Sequence, residues 1–232
     1  MKLSTIAKTS LALGILTTGV MTTYAQSADA KVNKEVKNHS QDVQNLYDYY
    51  TKKPLELRDV KGYFDGKGVT VLHDYQHSEV ELKGNDKGEF TDEKLKDMDV
   101  FIVGEGTGRQ APTRSIGGIT KPNSTKFKDQ VSNPQLYITK DYKDYKLTLG
   151  EGPFNIHKEQ VSLKELDFKL RKHLIDKHGL YSNDKKNGTI VVKMQGNNEN
   201  DKYTFELDKK LQDHRMGDVI DSRKIEKITV EL

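Results

Sequence analysis

Cysteine and tryptophan are absent from the 232 residues, and proline occurs only five times. Without cysteine there is no disulfide scaffold, no thiolate metal site and no cysteine nucleophile. Charge of one sign is also missing: 38 basic residues face 35 acidic ones, a formal net charge of +3. That balance excludes the basic stripe that dominates nucleic-acid binding. Apolar residues reach only 34%, a fraction that leans towards disorder. Eleven Tyr and seven Phe oppose that tendency, and the well-punctuated apolar runs suit small ordered domains.

The one long apolar run, Leu11 to Val20, follows Lys2 and Lys8 and precedes Ala28-Asp29-Ala30. A basic start, a short apolar stretch and an A-x-A site read as a secretory signal peptide over residues 1–30. The run is about half of the roughly 20 residues that a membrane helix needs, so no membrane span is expected. The competing reading is an N-terminal core helix, but the run has no polar face beyond Thr and Gly. The expected location is extracellular, where a protein without cysteine depends on its cores alone.

The rest divides in two. Residues 31–39 are polar and read as a frayed start. Ser40 is placed to cap a short helix carrying Val43, Leu46, Tyr47 and Tyr50, which Pro54 ends. Strand-like runs follow at Leu55–Phe64, Gly68–His73, Ser78–Leu82, Val100–Val103 and Ser115–Thr120, separated by Gly- and Asp-rich turns. Five short strands in so little chain predict a closed or nearly closed barrel. Asn123–Ser132 is polar and rich in Ser, Thr and Lys, the expected boundary.

The second half starts with strands at Gln135–Tyr137 and Lys146–Leu149. Ser162 and Glu165 then form an S-x-x-E capping box. Leu163, Leu166, Leu170 and Leu174 repeat along one helix face, and Gly179 is the natural stop. Thr189–Gln195 and Tyr203–Leu207 alternate as a hairpin, and Ile225–Leu232 closes the chain as a last strand. One sheet packed on one helix is expected here. The fold class is therefore mostly β / α+β.

Catalytic motifs are weak throughout. Gly104-Glu105-Gly106-Thr107-Gly108 resembles a phosphate loop, but no helix follows to present its amides; it reads as a flexible hairpin tip. His73 and His77 flank a hairpin turn and lack the glutamate of a zinc protease. His173 and His178 lie five apart on the long helix, about 140° around its axis, and are not expected to share a metal. His39, His157 and His214 carry no spacing that assigns a partner. No carboxylates pair within an apolar segment, as acid–base chemistry would want. No enzyme, cofactor or metal site is expected.

One surface stands out. In the predicted hairpin, Lys193 and Gln195 share a face with Thr204 and Glu206, and Arg215 follows shortly. A cation, an amide, a hydroxyl and a carboxylate on one wet face suit a polyhydroxylated anionic ligand, with Arg gripping a carboxylate by both arms. A merely solvated sheet face is the competing reading.

These residues also carry a resemblance. Lys158-x2-Val161-x4-Leu166-Asp167-x3-Arg171-x2-Leu174-x5-Leu180-Tyr181 matches in full the long signature of the staphylococcal and streptococcal superantigen toxins. Ile116-Gly117-Gly118-Ile119-Thr120 with Asn123 resembles their second signature, with Ile in place of Tyr and an earlier Asn. Asp48-Tyr49-Tyr50 and the C-terminal half are similar to the superantigen-like branch. The resemblance implies an N-terminal OB-fold barrel, residues 40–125, followed by a C-terminal β-grasp domain, residues 134–232. True superantigens bridge MHC class II and the T-cell receptor; many have a disulfide loop, and some hold zinc through a His-x-Asp on their last strands. This chain has neither feature. The superantigen-like branch implies instead a secreted, immune-evasion binder of host glycoproteins, with immunoglobulin, complement or matrix proteins as partners. A subset takes sialylated glycans such as sialyl Lewis X on a Tyr-Thr-Phe-Glu-Leu strand, followed by Lys-Lys-Leu-Gln and Arg-Met. Tyr203–Leu207, Lys209–Gln212 and Arg215-Met216 are similar. Thr204 and Arg215 are then the expected ligand positions, with Tyr203, Glu206 and Lys193 beside them. The 196–200 turn is longer than that subset's usual Asp-Gly-Gly form. Asp167 and Arg171 are expected to be structural, as i, i+4 partners on the helix side.

Overall fold

The computed structural model describes residues 40–232, apart from positions 75, 93, 107–111, 126–129, 197 and 199–200. Residues 1–30 and 31–39, read above as an export signal and a frayed start, lie outside the described residues.

The chain opens with helix α1 (Gln41–Tyr50). Ser40 occupies its N-cap position, yet its side chain makes no capping hydrogen bond. Strands β1 (Leu55–Phe64), β2 (Gly68–His73) and β3 (Gln76–Glu81) follow, then a one-turn helix α2 (Asp86–Glu89), then β4 (Lys94–Ile102), β5 (Thr113–Ile116) and β6 (Ile119–Thr120). They form one six-stranded sheet in the order β5-β3-β2-β1-β4-β6. β1 carries two register shifts against β4, with Asp59 at φ 54 inside the first. Such bulges bend a strand and raise its twist. The curled sheet encloses Leu57, Val69, Val71, Val80, Leu82, Met98, Val100 and Ile119 as its own core. The run expected as one strand, Ser115–Thr120, is broken into β5 and β6 by Gly117 and Gly118, both at positive φ.

The second half is a five-stranded sheet in the order β11-β10-β13-β7-β8. Its strands are β7 (Gln135–Tyr142), β8 (Tyr145–Pro153), β10 (Thr189–Met194), β11 (Lys202–Glu206) and β13 (Ile225–Glu231). β13 pairs β7 in parallel and β10 antiparallel. A small ladder joins β9 (Gln160–Ser162) to β12 (Val219–Asp221). Helix α3 (Leu163–His178) packs its leucines among Ile138, Ile190, Val192, Phe205 and Ile228.

At the start of α3, the Glu165 amide donates to Ser162 Oγ at 3.1 Å. Only that half of the capping box forms, because the Glu165 carboxylate is taken by Lys158 (2.7 Å) and Lys169 (2.8 Å). Gly179 ends the helix in the left-handed region, φ 67 and ψ 32.

The two halves meet across α3. Val43, Leu46, Tyr49 and Tyr50 of α1 join the core that contains α3, together with Phe101 and Val103 of the first sheet. Asp167 and Arg171 do not sit on the helix side as expected. Both are buried, at 1% exposure each. The reason is that α1 covers the face of α3 that the sheet leaves open. Arg171 Nε donates to Asp167 at 2.7 Å, and its Nη atoms reach Tyr181 Oη and the carbonyls of Leu207 and Glu206. Tyr50 Oη donates to Asp167 at 2.6 Å and accepts from the Leu211 amide at 3.3 Å. A buried ion pair is tolerable only when its remaining bonds are satisfied, and here the remaining partners come from α1 and from chain segments beyond α3.

Candidate functional site

The antiparallel register pairs Thr189 with Glu206, Val191 with Thr204 and Lys193 with Lys202. Directly paired residues share a face, so Thr204, Glu206, Val191 and Lys193 lie together on the face away from the α3-facing side chains of Ile190, Val192 and Phe205. This is the grouping expected from the alternation. Tyr203 pairs with Val192 and packs against the core instead. It is therefore on the opposite face from Thr204.

β11 is the edge strand of its sheet. Arg215 comes from a 3-10 turn, Asp213–Arg215, that folds back onto it. Its Nη1 donates to the Thr204 carbonyl at 2.9 Å and to Gln212 Oε1 at 3.2 Å. Its guanidinium carbon lies 5.5 Å from the centroid of the Phe205 ring. Arg215 and Thr204, eleven positions apart in sequence, are thus brought together. Nη1 makes both bonds; among the described residues neither Nε nor Nη2 of Arg215 has a hydrogen-bond partner. One arm anchors the group, and the other side of the planar fork stays available for a carboxylate.

The neighbouring charges are paired. Glu206 meets Lys209 at 2.8 Å. That hydrogen bond, then the Lys209 charge, holds the Glu206 carboxyl below its ordinary value, with Arg215 adding a smaller pull. Lys193 turns the other way, to Glu226 on β13 at 2.9 Å. It shares the face but not the Arg215 cluster. Gln195 is exposed beyond the strand end, where its amide donates to the Lys224 carbonyl. The 196–201 turn lies partly outside the described residues.

Two contributors were not legible beforehand. Phe205 supplies the ring beneath the guanidinium, although strand alternation assigns it to the buried face. Gln212 was visible only within the Lys209–Gln212 motif, without a role.

Elsewhere, His73 and His77 sit at the β2–β3 hairpin as expected; His73 lies 3.1 Å from Asp74. The 104–106 segment is fastened by Lys52, whose Nζ donates to the carbonyls of Gly104 and Gly106 at 2.7 Å. Glu105 is held by Lys210. Residues 107–111 of that loop lie outside the described residues. His173 and His178 depart from expectation: their ring centroids are 5.9 Å apart, beside Glu151. Among the described residues no helix is long and apolar enough to cross a membrane.

Comparison with known proteins matches both halves. Residues 44–123 fit the staphylococcal superantigen-like OB-fold domain. Residues 134–232 fit the staphylococcal/streptococcal toxin β-grasp domain. The chain is 48% identical over 232 residues to superantigen-like protein 11 of Staphylococcus aureus (strain Newman), covering the whole of both chains. Among solved structures it resembles a superantigen-like protein from Staphylococcus aureus in complex with sialyl-Lewis X. The two are 38% identical with a TM-score of 0.74, over 82% of this chain and 98% of that one. Another superantigen-like protein from that organism, in complex with 3-N-acetylneuraminyl-N-acetyllactosamine, is 39% identical with a TM-score of 0.71, over 82% and 97%. With an OB-fold barrel and a β-grasp domain matched in that order, and such identity end to end, the chain belongs to the staphylococcal superantigen-like proteins.

Proposed function

We propose that this protein is a secreted, non-enzymatic binder of host immune or matrix glycoproteins, and that it engages them through sialylated glycan at Thr204 and Arg215. The observation that carries the reading is the half-used guanidinium of Arg215, held against edge strand β11 by the Thr204 carbonyl and the Phe205 ring. A sialic acid presents a carboxylate amid hydroxyls. The free side of the fork takes the carboxylate, while Thr204 Oγ1 and the Glu206 carboxylate exchange hydrogen bonds with hydroxyls. Two relatives of the same fold were solved with sialylated glycans, which supports the same ligand class here.

A hydrogen bond to a charged group is worth about 1.5–3 kcal/mol, so Arg215→Ala is expected to weaken binding to a sialyl Lewis X array about tenfold or more. Arg215→Lys retains the charge and loses the fork, and should fall well short of wild type. Thr204→Ala, with its backbone carbonyl intact, should cost less. Wild-type binding by Arg215→Ala and Arg215→Lys would remove the assignment. Sialidase treatment of serum and leukocyte glycoproteins should abolish capture. Unchanged capture would favour a glycan-independent binder of immunoglobulin, complement or matrix protein.

A further inference from the structure

His178 is the last residue of α3 and His173 lies a turn and a half before it. An ideal helix would separate their side chains by about 140°. Their ring centroids are nevertheless 5.9 Å apart, and a third residue lies beside both. Glu151 comes from β8, at a break in register where Leu136 pairs with Gly152 and Tyr137 with Gly150. Glu151 is the extra residue of this bulge. Bulges re-aim side chains, and this one brings the carboxylate to the end of α3.

Glu151 Oε1 lies 3.3 Å from His178 Nε2, and Oε2 lies 3.7 Å from His173 Nε2. One ligand atom from each of the three residues lies within 4.8 Å of the others. Both Nε2 atoms are buried, and neither has a hydrogen-bond partner among the described residues. Buried polar atoms normally have one. Three ligand atoms therefore converge with no hydrogen bond among them.

Zinc binds imidazole and carboxylate at about 2.0–2.2 Å in a tetrahedron, which sets its ligand atoms about 3.4 Å apart. Two of the observed separations bracket that spacing, and small side-chain rotations would close the third. Two imidazoles disfavour calcium and magnesium, which want oxygen. Two His and one carboxylate leave one position for solvent. His178 also borders a groove of about 400 Å³ with Tyr142 and Gly179, a route for exchange.

We propose that Glu151, His173 and His178 form a zinc(II) site that ties edge strand β8 to the C-terminal end of α3. It lies apart from β10, β11 and Arg215, and is independent of the glycan reading. Equilibrium dialysis of the untagged protein against zinc, with a competing chelator at neutral pH, should return one zinc per chain. Loss of an outer partner of a metal ligand costs about 10–100-fold in affinity; loss of a ligand itself should cost at least about 100-fold. Glu151→Gln, His173→Ala and His178→Ala should each do so, whereas His73→Ala and His77→Ala, on the distant β2–β3 hairpin, should bind as wild type. Cobalt(II) should give the visible absorption of a tetrahedral centre, and zinc should raise the melting temperature of wild type but not of His178→Ala. Absence of zinc uptake by wild type at micromolar free metal overturns the proposal whatever the variants do. So does wild-type affinity in Glu151→Gln and His178→Ala.

Discussion

Asp86 sits in the one-turn helix α2 at 2% exposure, packed against the backbone of Gly217 from the other half. Neither carboxylate oxygen has a well-formed hydrogen bond among the described residues. Burial pushes its pKa from 3.8 up to about 7; nearby Asp218 adds to the rise, and the amides of Lys83 and Lys87 oppose it. The folded chain therefore holds a proton that the unfolded chain has released. The stability this proton contributes is present below the unfolded value and is lost as pH rises through about 7. Lys164 slopes the opposite way above that range, because burial lowers its pKa to about 7. Comparison with Asp86→Asn isolates the carboxylate. In denaturant titrations the variant should gain on wild type between pH 5 and pH 8, by up to about 2.5 kcal/mol. An unchanged difference would show that Asp86 is not strained by its burial. Nothing around Asp86 in the sequence reveals this, since the loop that buries it arrives 131 positions later.

Among the elements, α3 shows what periodicity reads and what it misses. Its leucine stripe, its N-cap and its C-terminal glycine were all legible, because each is a local rule about helix geometry. The burial of Lys164, Glu165, Asp167 and Arg171 was not. Their charge argues for a wet face, and only the packing of α1, the β5–β6 segment and Lys158 onto the helix reverses it. The stop at Gly179 has a clean test. An added Cβ would meet nothing closer than Ser182 Oγ at 3.6 Å, so Gly179→Ala carries the left-handed strain alone, about 1–2 kcal/mol. The expected readout is a lower denaturation midpoint with an unchanged slope. β9 and β12 escaped notice for a different reason. Three residues are too few to establish a period of two, and they form a ladder only because the chain returns nearly sixty positions later.

At the scale of the whole molecule, the junction between the halves is built from backbone as much as from side chains. Gly117, at φ 56, lies so close to the Met216 carbonyl that a Cβ would overlap it; Gly118, at φ 93, lies likewise against the Phe101 carbonyl. Lys164 reaches the same place, donating to Ser115 Oγ and the Ile116 carbonyl at 2.6 Å. The Gly-Gly of the second signature is thus where the strand leaving the barrel passes under the loop before β12. Gly117→Ala combines positive-φ strain with a backbone clash, and is expected to cost at least about 2 kcal/mol. Calorimetry should show a lower melting temperature. If the two halves lose their coupling, the single transition should also split. A variant that melts as wild type would mean the halves can part at no cost.

What the sequence by itself determined is whatever depends on neighbours along the chain. That covers the alternation putting Lys193, Thr204 and Glu206 on one face, the capped leucine helix, the glycine stops and the signature carrying the family. It also covers the absence of cysteine chemistry. Tertiary structure alone decided which polar groups would meet. It set the Arg215 guanidinium on the Thr204 carbonyl and the Phe205 ring, buried Asp167 and Arg171 beneath Tyr50, and joined two histidines 140° apart through a bulged glutamate. Periodicity specifies direction around an element's own axis, whereas contact between elements depends on crossing angles and loop paths that no single segment encodes.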